Sequence, residues 1–281
     1  MQIIKNQSFG GERPLFGLRQ TRLENITVTD GESGIKHCED IEAVGCTFIG
    51  KYPFWHVDRS LIKDCLFEPG ARSAIWYSDD MRVEHTTINA PKLFREQRNL
   101  EIVDTVINDA DETFWKIRGL KVHNLKLHDG TYPFMFSEDI YIDGLESDAK
   151  YVFQYVKNVE IHHAKITTKD AFWEVENVTV YDSELHGEYL GWHSKNLRLV
   201  NCHLSGEQLL CYADNLVLEN CTFDPACDRL FEYSTLQADI RGDVTNIKNP
   251  TSGRIVADSI GSVTIDEHVR QPNNCVIETR S

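Results

Sequence analysis

Basic side chains are scarce in this sequence. Against 44 Asp and Glu stand only 29 Lys and Arg, a formal net charge of −15, and no segment gathers the basic residues into a cluster. Phosphate backbones and anionic membrane surfaces are repelled by such a chain, so neither nucleic acid nor membrane is expected as a partner. Long apolar runs are missing too. No stretch of 18 apolar residues occurs, and the opening MQIIKNQSFGGERPLF has no signal-peptide apolar core; the expectation is a cytoplasmic protein without a membrane span. Helical spacing is not sustained over any ten residues.

Signatures of chemistry are equally thin. Eight cysteines are present without a CxxC, and Cys221 and Cys227 lack matching partners for a zinc site. The one His pair, His162-His163, sits where strand periodicity sends neighbours to opposite faces, which makes a poor chelate. Dinucleotide, phosphate-loop, HExxH and GxSxG patterns are absent. No metal and no cofactor are expected.

What is present is a repeat of 19–21 residues running from Arg13 to Phe223. With Asn158, Asn177, Asn196 and Asn215 as the reference position of four successive units, apolar residues follow at +1, +3, +6 and +8. The +3 column, for example, reads Ala43, Ile62, Val83, Ile102, Val122, Ile142, Ile161, Val180, Leu199 and Leu218. Steps of two are strand periodicity, and the odd step from +3 to +6 needs a bend that keeps the same side inward. A further short strand precedes the reference, where the −5 column holds Phe54, Phe94, Phe114, Phe134, Phe153 and Phe172.

A unit this short cannot bury its own apolar side and must stack on its neighbours. The fold expected is all-β: a single-stranded, right-handed parallel β-helix, a three-sided solenoid of about 10–11 coils. Residues 1–12 are expected as an N-terminal cap and 224–281 as irregular final coils and a C-terminal cap, since open coil ends would leave unpaired strand edges. Asn, Asp and Gly dominate the reference column, as a bend ladder requires. Cys46 falls one coil below Cys65 and Cys202 one below Cys221, in an inward column; parallel neighbours hold their Cβ atoms too far apart for a comfortable disulfide, so free buried thiols are expected.

The segment QSFGGERPLFGL (Gln7 to Leu18), the 281-residue length and the recurring Phe-Trp pairs at Phe54-Trp55, Phe114-Trp115 and Phe172-Trp173 resemble a bacterial family called domain of unknown function 3737. The repeat as a whole resembles the pectin-lyase-like superfamily of right-handed β-helices. That resemblance implies a fold and, for the wider superfamily, binding or cleavage of polysaccharide. The NTD, GHG and RIK motifs of the pectin-hydrolysing branch are missing, however, and the loops between coils are too short to wall a deep cleft.

All five tryptophans fall in the −4 column, which includes Trp55, Trp76, Arg95, Trp115, Gln154, Trp173 and Trp192. The −3 column beside it includes Glu96, Lys116, Tyr155, Glu174, His193 and Tyr212. Simple alternation sends −4 outward and −3 inward, and a bend near −3 reverses that. Two readings stand together. In one, the columns form an aromatic strip that binds an oligosaccharide or another protein, with Trp55, Trp76, Arg95, Glu96, Trp115, Lys116, Trp173 and Trp192 as contacts. In the other, the rings stack between coils and serve the fold. A homo-oligomer is compatible with either. A catalytic version, a glycoside hydrolase or lyase, stacks Tyr155, Glu174, His193 and Tyr212 on consecutive coils, with Glu174 and His193 as acid and base.

Overall fold

The computed structural model describes residues 1–269 and 273–280. Among them there is no helix, and every paired strand runs parallel to its neighbour. The chain divides into two compact units, Met1–Ala149 and Lys150–Ser281, and each is a parallel β-solenoid.

In the first unit the strands Arg98–Ile107, Arg118–Leu127 and Glu138–Ser147 show the register. Leu100 lies beside Leu120 and then Ile140, Ile102 beside Val122 and Ile142, Thr105 beside Leu125 and Leu145, and Ile107 beside Leu127 and Ser147. All twelve are buried, so the +1, +3, +6 and +8 columns do face the interior. The odd step is made by residues in the left-handed conformation at +5: Asp64, His85, Asp104 and Asn124 have φ of 52°, 49°, 45° and 56°. A single such residue interrupts the alternation of a strand, so +4 and +5 both point out and +6 points in again. The reference column repeats the device at Asp40, Arg59, Asp80 and Asn99, with φ of 55°, 53°, 57° and 57°.

Left-handed residues other than glycine cost roughly 1–2 kcal/mol each, least for Asn and Asp. Stacking offsets the cost. Phe94, Phe114 and Phe134, fully buried at −5, lie face to face with ring centres 4.9 Å apart at each step. Polar ladders run up the bends as well: Asn99 donates to Asp80 at 2.8 Å and Asn124 to Asp104 at 2.9 Å.

The second unit uses the same grammar. Val159, Val178 and Leu197 stack in one buried column and Ile161, Val180, Leu199 and Leu218 in another. Asn177, Asn196 and Asn215 each donate a side-chain N–H to the amide oxygen one coil below, at 3.1, 2.8 and 2.8 Å. Phe153 and Phe172 continue the −5 stack at 5.5 Å. At the next coil the column carries Gly191 at φ 72°, where an added Cβ would meet Leu210 at 2.8 Å and Leu197 at 2.9 Å.

The segments outside the regular repeat are paired. Gln2–Lys5 lies along Arg19–Glu24 and Ser8–Glu12 along Thr27–Glu32. Beyond Phe223, Thr235–Ile240 joins Leu216–Phe223 with a register shift between Leu218 and Cys221, followed by Ser252–Ala257 and Asn274–Thr279. Side-chain contacts between adjacent coils there bridge separations as different as 16 residues, Ser259 to Asp243, and 24, Arg254 to Glu278.

All eight cysteines are free, seven of them buried. Their thiols donate to backbone carbonyls, as from Cys65 to Ala43 at 3.4 Å and from Cys221 to Leu199 at 3.3 Å. No helix among the described residues is long and apolar enough to cross a membrane.

Candidate functional site

The outward strip is built by two left-handed residues set two apart. At −5 the conformation turns two consecutive side chains inward, as for Pro53 and Phe54; at −3 it turns two outward. His56, Tyr77, Glu96, Lys116 and Phe136 adopt φ of 53°, 56°, 52°, 56° and 61° and are exposed, while Trp55, Trp76, Arg95 and Trp115 just before them are half-buried. Both columns therefore face solvent, an outcome that strict alternation did not foresee.

Within the first unit the −4 column is a closed stack. Lys36 places its ammonium 5.5 Å above the Trp55 ring, Trp55 lies against Trp76 with ring centres 5.2 Å apart and planes 15° from parallel, and Arg95 fits between Trp76 and Trp115 at 4.6 and 5.0 Å. Beyond Trp115, Phe136 approaches edge-on at 5.6 Å. The indole N–H groups are also occupied: Trp55 donates to the Ser73 carbonyl at 2.7 Å and Trp76 to the Lys92 carbonyl at 2.6 Å. For Trp55 and Trp76, faces and nitrogens are thus consumed between coils.

Glu112 anchors the stack from the side. It accepts from Arg95 at 2.7 Å and from Lys92 at 3.2 Å. Burial works to raise its carboxyl, and the two cations outweigh that and hold it below the usual carboxylate range. The Nε of Arg95 is buried without a hydrogen-bond partner, which the flanking indole faces offset in part.

The −3 column is the accessible one. His37 and His56 stack at 4.9 Å with parallel planes, and Tyr77 continues the pile at 5.1 Å from His56. Partial burial, together with His37 and Lys36 nearby, lowers the His56 imidazole below its ordinary value. Further along, Lys116 and Glu96 form an ion pair at 3.9 Å. Tyr77 and Phe136 are 37% and 44% exposed.

In the second unit Trp173 and Trp192 stack at 5.8 Å, and Trp192 donates to the Gln208 carbonyl at 2.6 Å. Gln154 is buried and does not line the surface. The quartet Tyr155, Glu174, His193 and Tyr212 does stand in one outward column, but Glu174 accepts from the Trp173 indole at 3.4 Å and His193 lies flat on Tyr212 at 5.0 Å. Among the described residues no hydrogen bond or ion pair joins Glu174 to His193, and no group of three or more His, Cys, Asp or Glu is arranged to hold a metal.

The sequence puts Lys36 at −4 and His37 at −3 without marking either as a contact, and it gives no sign of Glu112, the partner that anchors the stack from the side. Sequence reasoning also missed a second ladder at +5, where Asn201 donates to Asp182 at 2.9 Å and Asn220 to Asn201 at 2.8 Å. The signal was available, since that column reads Asn25, Gly45, Asp64, His85, Asp104 and Asn124, rich in Asn, Asp and Gly like the reference column.

The family described as protein of unknown function (DUF3737) matches residues 2–278. Neither a curated protein nor a solved structure matches the chain.

Proposed function

The chain belongs to the DUF3737 family of proteins of unknown function, and from that premise we propose that it is a non-catalytic interaction module whose −4/−3 strip docks another protein. One observation supports this reading above the others: exposed Tyr77 and Phe136 at −3, flanking the Glu96–Lys116 ion pair, rest on the stacked row at −4. Tyr and Phe held this way offer contact area at little entropic cost, and patches of this kind on soluble proteins are rarely idle.

A glycan ligand is the finer alternative, and the ring orientation weighs against it. Sugars pack on open aromatic faces, whereas both indole faces of Trp55 and Trp76, and one face of Trp115, are covered by Lys36, Arg95 and the neighbouring ring. A polysaccharide-cleaving role on Glu174 and His193 lacks a hydrogen bond between its acid and its base. We propose that the family falls among the pectin-lyase-like β-helices, on the strength of its parallel coils and stacked inward columns. The cytoplasm remains the compartment proposed.

Photo-crosslinking in cells tests the proposal. A photoreactive phenylalanine at position 77 or 136 is expected to yield a discrete polypeptide adduct that the same probe at exposed position 126, on another face of the same unit, does not. Absence of that adduct, together with a thermal shift by oligosaccharides that Trp115→Ala removes, would turn the assignment to glycan binding.

A further inference from the structure

A second surface carries its own instruction about what it meets. On the second unit, immediately before the Asn ladder, four charged residues stack directly on one another: Lys157 beside Glu176, Glu176 beside Lys195, and Lys195 beside Asp214. Lys157 and Glu176 are 3.2 Å apart, and Lys195 reaches Glu176 at 4.0 Å. The lysine side chains remain more than half exposed, at 57% and 59%. Because Asn158, Asn177, Asn196 and Asn215 are left-handed, with φ of 54–58°, both columns project from the same corner of the coil.

The order of charge along this column is plus, minus, plus, minus. Read backwards it is minus, plus, minus, plus. An antiparallel copy laid against the column by a twofold axis therefore meets an opposite charge at every rung: Lys157 faces Asp214 of the copy, Glu176 faces Lys195, and the same pairs repeat in reverse. The spacing agrees of itself, since both partners repeat at the interstrand distance of about 4.8 Å.

The neighbouring columns obey the same operation. Asn177 and Asn196 each spend one side-chain N–H and one lone pair within their own ladder and keep one of each, so Asn177 opposite Asn196 of the copy exchanges donor for acceptor in both directions. Between the ladder and the next outward column runs an open groove of about 320 Å³ lined by Asn177, Thr179, Asn196, Arg198, Asn215 and Val217. The twofold puts the long Arg198 of one copy opposite the short Thr179 of the other. Two lysines and two acids leave this corner neutral in a chain of net charge −15, so two copies approach here without the repulsion that acts elsewhere.

We infer that the corner formed by Lys157, Glu176, Lys195, Asp214 and the Asn ladder is a self-recognition surface, joining two copies of the chain antiparallel about a twofold axis. The assignment is independent of the aromatic strip.

Sedimentation equilibrium of the full chain over a wide concentration range tests it, with thermal melts to verify folding. The wild type is expected to show reversible monomer–dimer behaviour. Glu176→Lys and Lys195→Glu, each of which sets like charges face to face, are expected to weaken the dimer by roughly tenfold or more. The double exchange Glu176→Lys with Lys195→Glu gives the order plus, plus, minus, minus, again complementary to its reverse, and is expected to restore dimerisation although it places like charges next to each other within each chain. A wild type that stays monomeric, a dimer indifferent to the single exchanges, or folded single variants not rescued by the double exchange would each overturn the inference.

Discussion

The guanidinium carbon of Arg95 sits 4.6 Å from the centre of the Trp76 ring. With Trp115 on its other side and Glu112 at its edge, this arginine is the cation that bridges two indoles of the row. Its planar cation fills a ring-shaped slot and carries a hydrogen bond at the rim. A lysine has the charge without the plane. Arg95→Lys is therefore expected to destabilise the protein by about 1 kcal/mol, lowering the Tm by a few degrees, and Arg95→Ala by more; equal melting of Arg95→Lys and wild type would remove the stack from the list of stabilising contacts.

The buried −5 row is the stronger test of the fold. Phe114 lies between Phe94 and Phe134 with no exposed surface, and truncating such a side chain leaves a cavity that flanking coils cannot close without losing register. Phe114→Ala is expected to cost roughly 3–5 kcal/mol, read by urea denaturation followed by circular dichroism.

Acid sensitivity has an address at His56. Its folded imidazole lies below the ordinary value, chiefly through burial and then through His37 and Lys36, so the neutral form is the one the fold favours. The associated stability is present above the normal imidazole range and fades as pH falls from about 7 toward 5, because the unfolded chain takes up the proton more readily. Tm measured across that window is expected to fall more steeply for the wild type than for His56→Gln; parallel curves would contradict the assignment.

The +5 ladder separates two contributions at a single residue. Asn201 has φ of 54°, donates to Asp182 and accepts from Asn220. Asn201→Ala loses both bonds and adds left-handed strain, for a cost of roughly 2 kcal/mol. Asn201→Gly loses the bonds alone, so chemical denaturation is expected to rank it between wild type and Ala.

The columns show why so much of the fold was legible. Whether Ile102 or Val122 faces inward follows from period two within a strand, and the Asn ladder follows from the few residues that accept a left-handed bend. The strip resisted because its bend falls on Tyr77, Glu96 and Lys116 as well as His56, and of these only histidine favours a left-handed backbone. Ring orientation was out of reach for a different reason: column position says that Trp76 is outward, while only the Arg95 guanidinium and the Lys92 carbonyl decide that its faces are covered. After Phe223 the spacing between paired residues changes from coil to coil, so a template of fixed period fails even though pairing continues.

The sealed thiols carry a kinetic consequence. Burial raises the Cys38 and Cys227 thiols above their ordinary range, and a thiol reagent reaches such groups only through an opened state. Cys38, Cys46 and Cys65 belong to Met1–Ala149, and Cys202, Cys211, Cys221 and Cys227 to Lys150–Ser281. Pulsed alkylation of the native protein followed by peptide mapping thus clocks the breathing of each unit separately in one sample, with half-buried Cys275 marking the fast baseline.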